Sequence, residues 1–324
     1  MSPTTKQPAQ GGRRLTDAEL VAMMKLMKGA NSVELKVTIP TAAHRATIQG
    51  LPMDPVESQP RQIYFFDTPD LALYRAGVVV RARRIQGGRG DTVIKLRPVD
   101  PEKLPSDLRR NPSFNVEVDA LPGGFVCSGS FKGRTTGREI HDVVTGKKLP
   151  SKIYSKDQRA FYRLHAPAGI ELDSLVPLGP TFILKDRFNV QTSLDDKAPP
   201  RSMVAAVWFY PDGSRILELS TKCLPNEALG VAGECRAYFA ERKVSLNALQ
   251  QTKTKTALEF YAAALAAEKA GAGARKPAST RTRTRTAAAK TAAARKPIAA
   301  AKKPTAAARK PTAANRRTQP PAAG

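Results

Sequence analysis

The sequence predicts an α+β domain built around an antiparallel sheet of about eight strands. Three observations carry that expectation. Eight segments of the 324-residue chain carry strand patterns, most of them alternating apolar and polar side chains with the period of two that separates a strand's faces. Helical patterns are interspersed among them in a body of about 250 residues, which suits an antiparallel α+β domain. Six of the strands also set charged side chains at i and i+2 on an otherwise apolar segment, so that the charges share one face.

Taken in order, residues 1–14 are rich in Pro, Gln, Gly and Thr and are expected to form a disordered lead-in. Thr16-Asp17-Ala18-Glu19 is a capping-box pattern opening a helix that Gly29 ends. Its stripe of Leu20, Met23, Met24 and Met27 reads as core packing, a cover over the fold. In the strand 32–39, Val33, Leu35, Val37 and Ile39 oppose Ser32, Glu34 and Lys36. A helix is expected over 41–50, a strand over 61–66 and a short helical turn over 71–75. The strand 78–84 follows, with Arg81 and Arg83 on one face and Arg84 on the other. In the strand 92–97, Ile94 and Leu96 oppose Lys95 and Arg97. The proline-rich segment 99–112 reads as a loop. In the strand 114–120, Phe114, Val116 and Val118 oppose Glu117 and Asp119. A helix over 157–164 precedes the strand 182–188, where Phe182, Leu184 and Phe188 oppose Lys185 and Arg187. The strand 203–210 is apolar on both faces, and in the strand 216–222 Leu217 and Leu219 oppose Glu218, Ser220 and Lys222. Two helices close the domain, one over 225–242 with Ala228, Val231, Ala232, Cys235, Tyr238 and Phe239 on a stripe, one near 256–267. The domain is placed at 15–269 and a disordered basic tail at 270–324.

Charge is unevenly spread. From Ala270 onward the chain holds 14 Lys and Arg and no acid, so the tail carries +14 of the formal +25 and the body +11. The tail repeats ARKP at 274–277, 294–297 and 308–311, a composition similar to linker-histone-like tails. Such a segment binds phosphate backbones by counterion release, so DNA, RNA or polyphosphate is its expected partner. Cys127, Cys223 and Cys235 are odd in number and lack CxxC spacing, which points to neither disulfides nor a zinc site and suits a reducing cytoplasm. His44, His141 and His165 are scattered. No apolar signal segment and no bilayer-length run is present, so a cytoplasmic protein is expected, with nucleoid association through the tail and no membrane contact.

One charged strand face is ordinarily a wet one. Six together admit another arrangement, a sheet closed into a barrel with its charges inward and helices covering the apolar outside. The inward set is then Lys36, Arg81, Arg83, Lys95, Arg97, Lys185, Arg187 and Lys222 against Glu34, Glu117, Asp119 and Glu218, a net +4. A polyphosphate anion of roughly four charges neutralises it, and guanidinium forks match phosphate oxygens. The carboxylates have a role if the anion arrives with Mg²⁺ or Mn²⁺, which bind a few carboxylates plus phosphate oxygens.

The stretch YFFDTPDLALYRAGVVVRARR (64–84), with TVIKLR (92–97), resembles the signature region of the CYTH family, the triphosphate tunnel metalloenzymes. The resemblance spans about 32–222, with helices to about 267, and leaves out the tail. It implies an eight-stranded antiparallel tunnel that binds a triphosphate with divalent metal. Family members include inorganic, thiamine and RNA triphosphatases and one class of bacterial adenylate cyclase. By position, Lys36, Arg81, Arg83, Lys95, Arg97, Arg187 and Lys222 match the phosphate-binding bases, and Lys185 a less constant one. Glu34, Glu117 and Glu218 match metal-site acids, with Asp119 in place of a second Glu. Ser32 and Ser220 depart from the family's Glu-x-Glu pairs, and two-metal schemes need those charges. The expected activity is metal-dependent triphosphate hydrolysis on a nucleotide, inorganic or thiamine triphosphate. An adenylate cyclase and a non-catalytic phosphate- or nucleotide-binding module are the rivals.

Overall fold

The computed structural model of the protein describes residues 16–192, 197, 199–246 and 253–274. The lead-in and nearly all of the basic tail lie outside the described residues. The elements run α1 (Asp17–Lys28), β1 (Ser32–Ile39), α2 (His44–Gly50), β2 (Gln59–Asp67), α3 (Ala72–Arg75), β3 (Val78–Ile85), β4 (Arg89–Leu96) and α4 (Ser106–Arg110). They continue with β5 (Phe114–Leu121), β6 (Gly124–Thr136), α5 (Gly137–Val144), α6 (Lys156–His165), β7 (Val176–Val190), β8 (Arg201–Phe209), β9 (Arg215–Cys223), α7 (Ala228–Glu241) and α8 (Lys253–Ala274). The strands close into a barrel in the order β1-β5-β6-β4-β3-β2-β7-β8-β9, with β9 pairing back to β1.

Two parts of the expected sheet need correction. The barrel has nine strands rather than eight, and β1 pairs with β5 in parallel. The extra strand is β6, GFVCSGSFKGRTT, whose three glycines and two serines interrupt the β-branched and aromatic signal that marks a strand. The glycines are there for close approach. A Cβ on Gly129 would stand 2.7 Å from the Phe114 ring, and one on Gly133 2.4 Å from Gln158 Oε1. Gln158, the N3 residue of a capping box that opens α6, is fully buried across this strand. Its amide donates to the carbonyls of Thr92 and Phe131, and its oxygen accepts from the Thr92 hydroxyl and the Ser155 N–H.

The outward strand face forms the main core. Val33, Val80, Ile94, Val116, Val118, Leu217 and Leu219 pack there beneath the helices. Phe161 of α6 meets Phe114 and Phe131 with ring centroids 5.5 and 5.4 Å away, tilted contacts worth about 0.5–1.5 kcal/mol each beyond their burial. In α1 the Thr16–Glu19 capping box forms, but only Met23 and Met27 of the expected stripe are buried, while Leu20 and Met24 face out. The stripe of α7 buries Ala228, Val231, Cys235, Tyr238 and Phe239. The segment 99–112 includes the short α4, and α5, absent from the sequence expectations, opens on a Thr136–Glu139 capping box and turns Ile140 and Val143 inward.

Asp67 explains part of the quoted stretch. Its carboxylate, buried at the end of β2, accepts from the N–H groups of Thr68, Leu73 and Tyr74, which ties the DTPDLALYR turn and α3 to the strand. That turn aims β3 back across the sheet, and so sets the register of Arg81 and Arg83.

Candidate anion-binding tunnel

Strand register places the charged side chains together. In antiparallel neighbours, directly opposite residues share a face. Lys36 lies opposite Ser220 and Glu34 opposite Lys222, while Glu34 also matches Asp119 across the parallel pair. Arg81 lies opposite Val93 and Arg83 opposite Asp91, and Lys95 lies opposite Ser130. Lys185 and Arg187 lie opposite Ala206 and Val204 of β8, which in turn face Glu218 and Ser220. All twelve residues expected from the sequence line this one interior, and Arg84, bonded to Gln62 on the opposite face, stands outside it.

The interior is divided by charge. In one part Glu34, Glu117 and Asp119 each bring a carboxylate oxygen within 4.8 Å of the others. Asp119, 1% exposed, is the hub: Lys36 Nζ lies 2.6 Å away, Arg97 Nη2 2.8 Å and Lys95 Nζ 3.5 Å. Lys36 also meets Glu34 at 2.9 Å, and Lys222 pairs with Glu117. Burial alone would raise the Glu34 and Asp119 carboxyls. The lysines more than offset it, holding Glu34 at about 2 and Asp119 well below the usual carboxylate range. Three hard oxygens in one cluster fit a single divalent cation such as Mg²⁺ or Mn²⁺, completed by phosphate oxygens.

The other part is almost purely basic. Arg61, Arg81, Arg83, Lys185 and Arg187 face one another there, with Asp91 as a bidentate partner of Arg83 at 2.7–2.8 Å. Burial, then Arg83, pulls Arg81 down to about 10, and its Nε meets no hydrogen-bond partner among the described residues. Burial, then Arg61, Arg83 and Arg187, pulls Lys185 down to about 8. Cations crowded so closely are destabilising until an anion sits between them.

Four contributors escaped the sequence reading. Asp91 and Arg61 extend the period-two pattern of β4 and β2 by one step, a signal that was available. Lys132 sits in the glycine-rich β6, where no strand was expected, and its ammonium is weakened by burial and by Lys222. Lys253, the first residue of α8, enters the interior from outside the sheet and pairs with Glu218. Burial and Lys36 weaken its ammonium, while Glu34 and Asp119 support it. Glu218 is thereby separated from the Glu34–Glu117–Asp119 cluster with which it was expected to bind metal.

One stretch of the interior is apolar. Ile63, Phe65, Ile183, Trp208 and Ile216 pack with Ala257 and Leu258 of α8, so the helix covers that part of the tunnel wall.

No protein-family model matches the chain, and no curated protein matches it. Solved structures do. A candidate adenylyl cyclase from Hippeastrum with a dominant triphosphatase activity matches at 14% identity over 68% of this chain and 92% of that chain, with a TM-score of 0.50. A candidate adenylate cyclase from Bacillus halodurans matches at 12% identity over 70% of this chain and 97% of that one, with a TM-score of 0.47. At such identities the likeness is one of fold. The closed barrel expected from the resemblance is present, with nine strands and one parallel pair in place of eight antiparallel strands.

Proposed function

We propose that the protein binds the triphosphate group of its substrate inside the barrel, together with one divalent cation, and hydrolyses the terminal phosphate. The observation that carries this reading is the juxtaposition, on one closed interior, of the Glu34–Glu117–Asp119 cluster and the basic group around Arg81, Arg83, Lys185 and Arg187. When bound, the cation draws charge from the phosphate oxygens and helps to orient them. The chain's own residues do the rest. Without ligand, Lys36, Lys95, Arg97 and Lys222 neutralise the carboxylates. With the anion present they turn to phosphate oxygens, while Arg81, Arg83 and Arg187 hold charge that builds on the leaving group. The dominant triphosphatase activity of the Hippeastrum protein accords with hydrolysis rather than cyclisation.

Ser32 and Ser220 favour a second reading, an anion-binding module without turnover, because each stands where a carboxylate would help to activate an attacking oxygen. One assay separates the readings. The purified chain is incubated with tripolyphosphate, ATP and thiamine triphosphate plus Mg²⁺ or Mn²⁺. Phosphate release abolished by Glu34→Gln supports hydrolysis, and cyclic AMP from ATP would identify a cyclase. Binding with no product from any of the three leaves the binding module. The tail, from its composition, adds sequence-independent attachment to nucleic acid, and with it nucleoid association.

A further inference from the structure

We infer that Lys253 is a built-in counter-cation that takes the place of a second divalent ion at Glu218, making this a one-metal site with a protein ammonium facing it. The inference rests on the triphosphate reading above and adds the metal count and a further substrate contact.

Glu218 is a poor metal ligand by position. It is 9% exposed on its side chain, and its neighbours on the inner face offer no second carboxylate: Thr38 opposite on β1, Ala206 opposite on β8, Ser220 and Ile216 along its own strand. Lys222 of the same strand lies opposite Glu34, so Glu218 is four residues, roughly 13 Å of strand, from the level of the cluster. Ions in a paired-metal site lie only about 3.5–4 Å apart. A lone buried carboxylate needs a compact positive charge rather than a divalent ion seeking several oxygens. The Lys253 ammonium is that charge, in contact with Glu218 and 15% exposed.

The lysine is also held in place. Its carbonyl accepts from the Tyr210 hydroxyl at 3.2 Å, and its Nζ lies 5.9 Å from the Trp208 ring centroid. One turn further on, Ala257 and Leu258 are buried against the wall, and the Tyr261 hydroxyl donates to the Pro180 carbonyl. The ammonium shares its field with Lys36, Glu34, Asp119 and Arg97, so it belongs electrostatically to the same anion site. An anion that reaches Glu218 meets Lys253 there, and the ammonium has only to exchange a carboxylate oxygen for a phosphate oxygen.

The test counts bound Mn²⁺ by equilibrium dialysis and electron paramagnetic resonance on the full chain. Wild type is expected to hold one ion, Glu218→Gln still one with unchanged affinity, and Glu34→Gln none. Tripolyphosphate affinity at saturating Mn²⁺ should fall about tenfold in Lys253→Met, the loss of one charge-assisted hydrogen bond, and be kept by Lys253→Arg. Should a buried unpaired Lys253 unfold Glu218→Gln, the double variant Lys253→Met/Glu218→Gln removes both charges and must still hold one ion. Two ions in wild type, or an ion lost with Glu218, overturns the inference and leaves the triphosphate reading intact. A wild type that takes neither Mn²⁺ nor tripolyphosphate overturns both.

Discussion

Lys185 and Arg81 show how single residues behave when like charges share a confined interior. The i, i+2 spacing made both visible in the sequence, because a period-two pattern of charges on apolar strands identifies a face. It could not distinguish a face toward water from one toward a ligand. Lys132 and Lys253 stayed hidden, one in a strand whose pattern is broken by glycines and serines and one on a helix whose reach depends on packing. The lowered Lys185 pKa, about 8 against an ordinary 10.5, leads to a pH dependence. A bound anion favours the charged form, so affinity is complete below about pH 8 and declines as the free ammonium is lost above it. Tripolyphosphate titrations at pH 7 and pH 9.5 should show that decline in wild type and a flatter profile in Lys185→Arg. Identical profiles would show that Lys185 takes no part.

Strand β6 governs what the elements can tolerate. It was illegible because its glycines answer to neighbours remote in sequence: Phe114 on β5 and Gln158 on α6 fill the space where side chains would be. Gly133→Ala places a Cβ against Gln158 and Thr92 and should destabilise the fold by about 1–3 kcal/mol in urea unfolding. Gly233→Ala on α7 meets nothing within 4 Å and should stabilise by up to about 1 kcal/mol through helix propensity alone. Equal effects of the two substitutions would refute the close-approach account. Most of the eight expected strands were legible because their apolar residues alternate, and 203–210 because it is a continuous apolar run. The parallel β1–β5 pairing was not, because nothing in a strand's own pattern names its partner.

At the scale of the whole molecule, closure turns scattered charges into a site. The sequence supplied the list of twelve interior residues, and the barrel supplies the separation into a carboxylate cluster and a basic group. The tail is a separate electrostatic object. A chain ending at Arg275 should bind DNA more weakly than the full chain and with a shallower dependence on salt concentration, since it neutralises fewer phosphates. Unchanged affinity and slope would rule the tail out as the nucleic-acid-binding part. The central claim is that the interior is built for a triphosphate, and calorimetric titration of tripolyphosphate with Mg²⁺ tests it most directly. The account predicts one site per chain, with affinity reduced about ten- to a hundredfold by Arg81→Ala and little changed by Arg84→Ala on the opposite face. No binding by wild type, or equal losses from the two arginine variants, would contradict it.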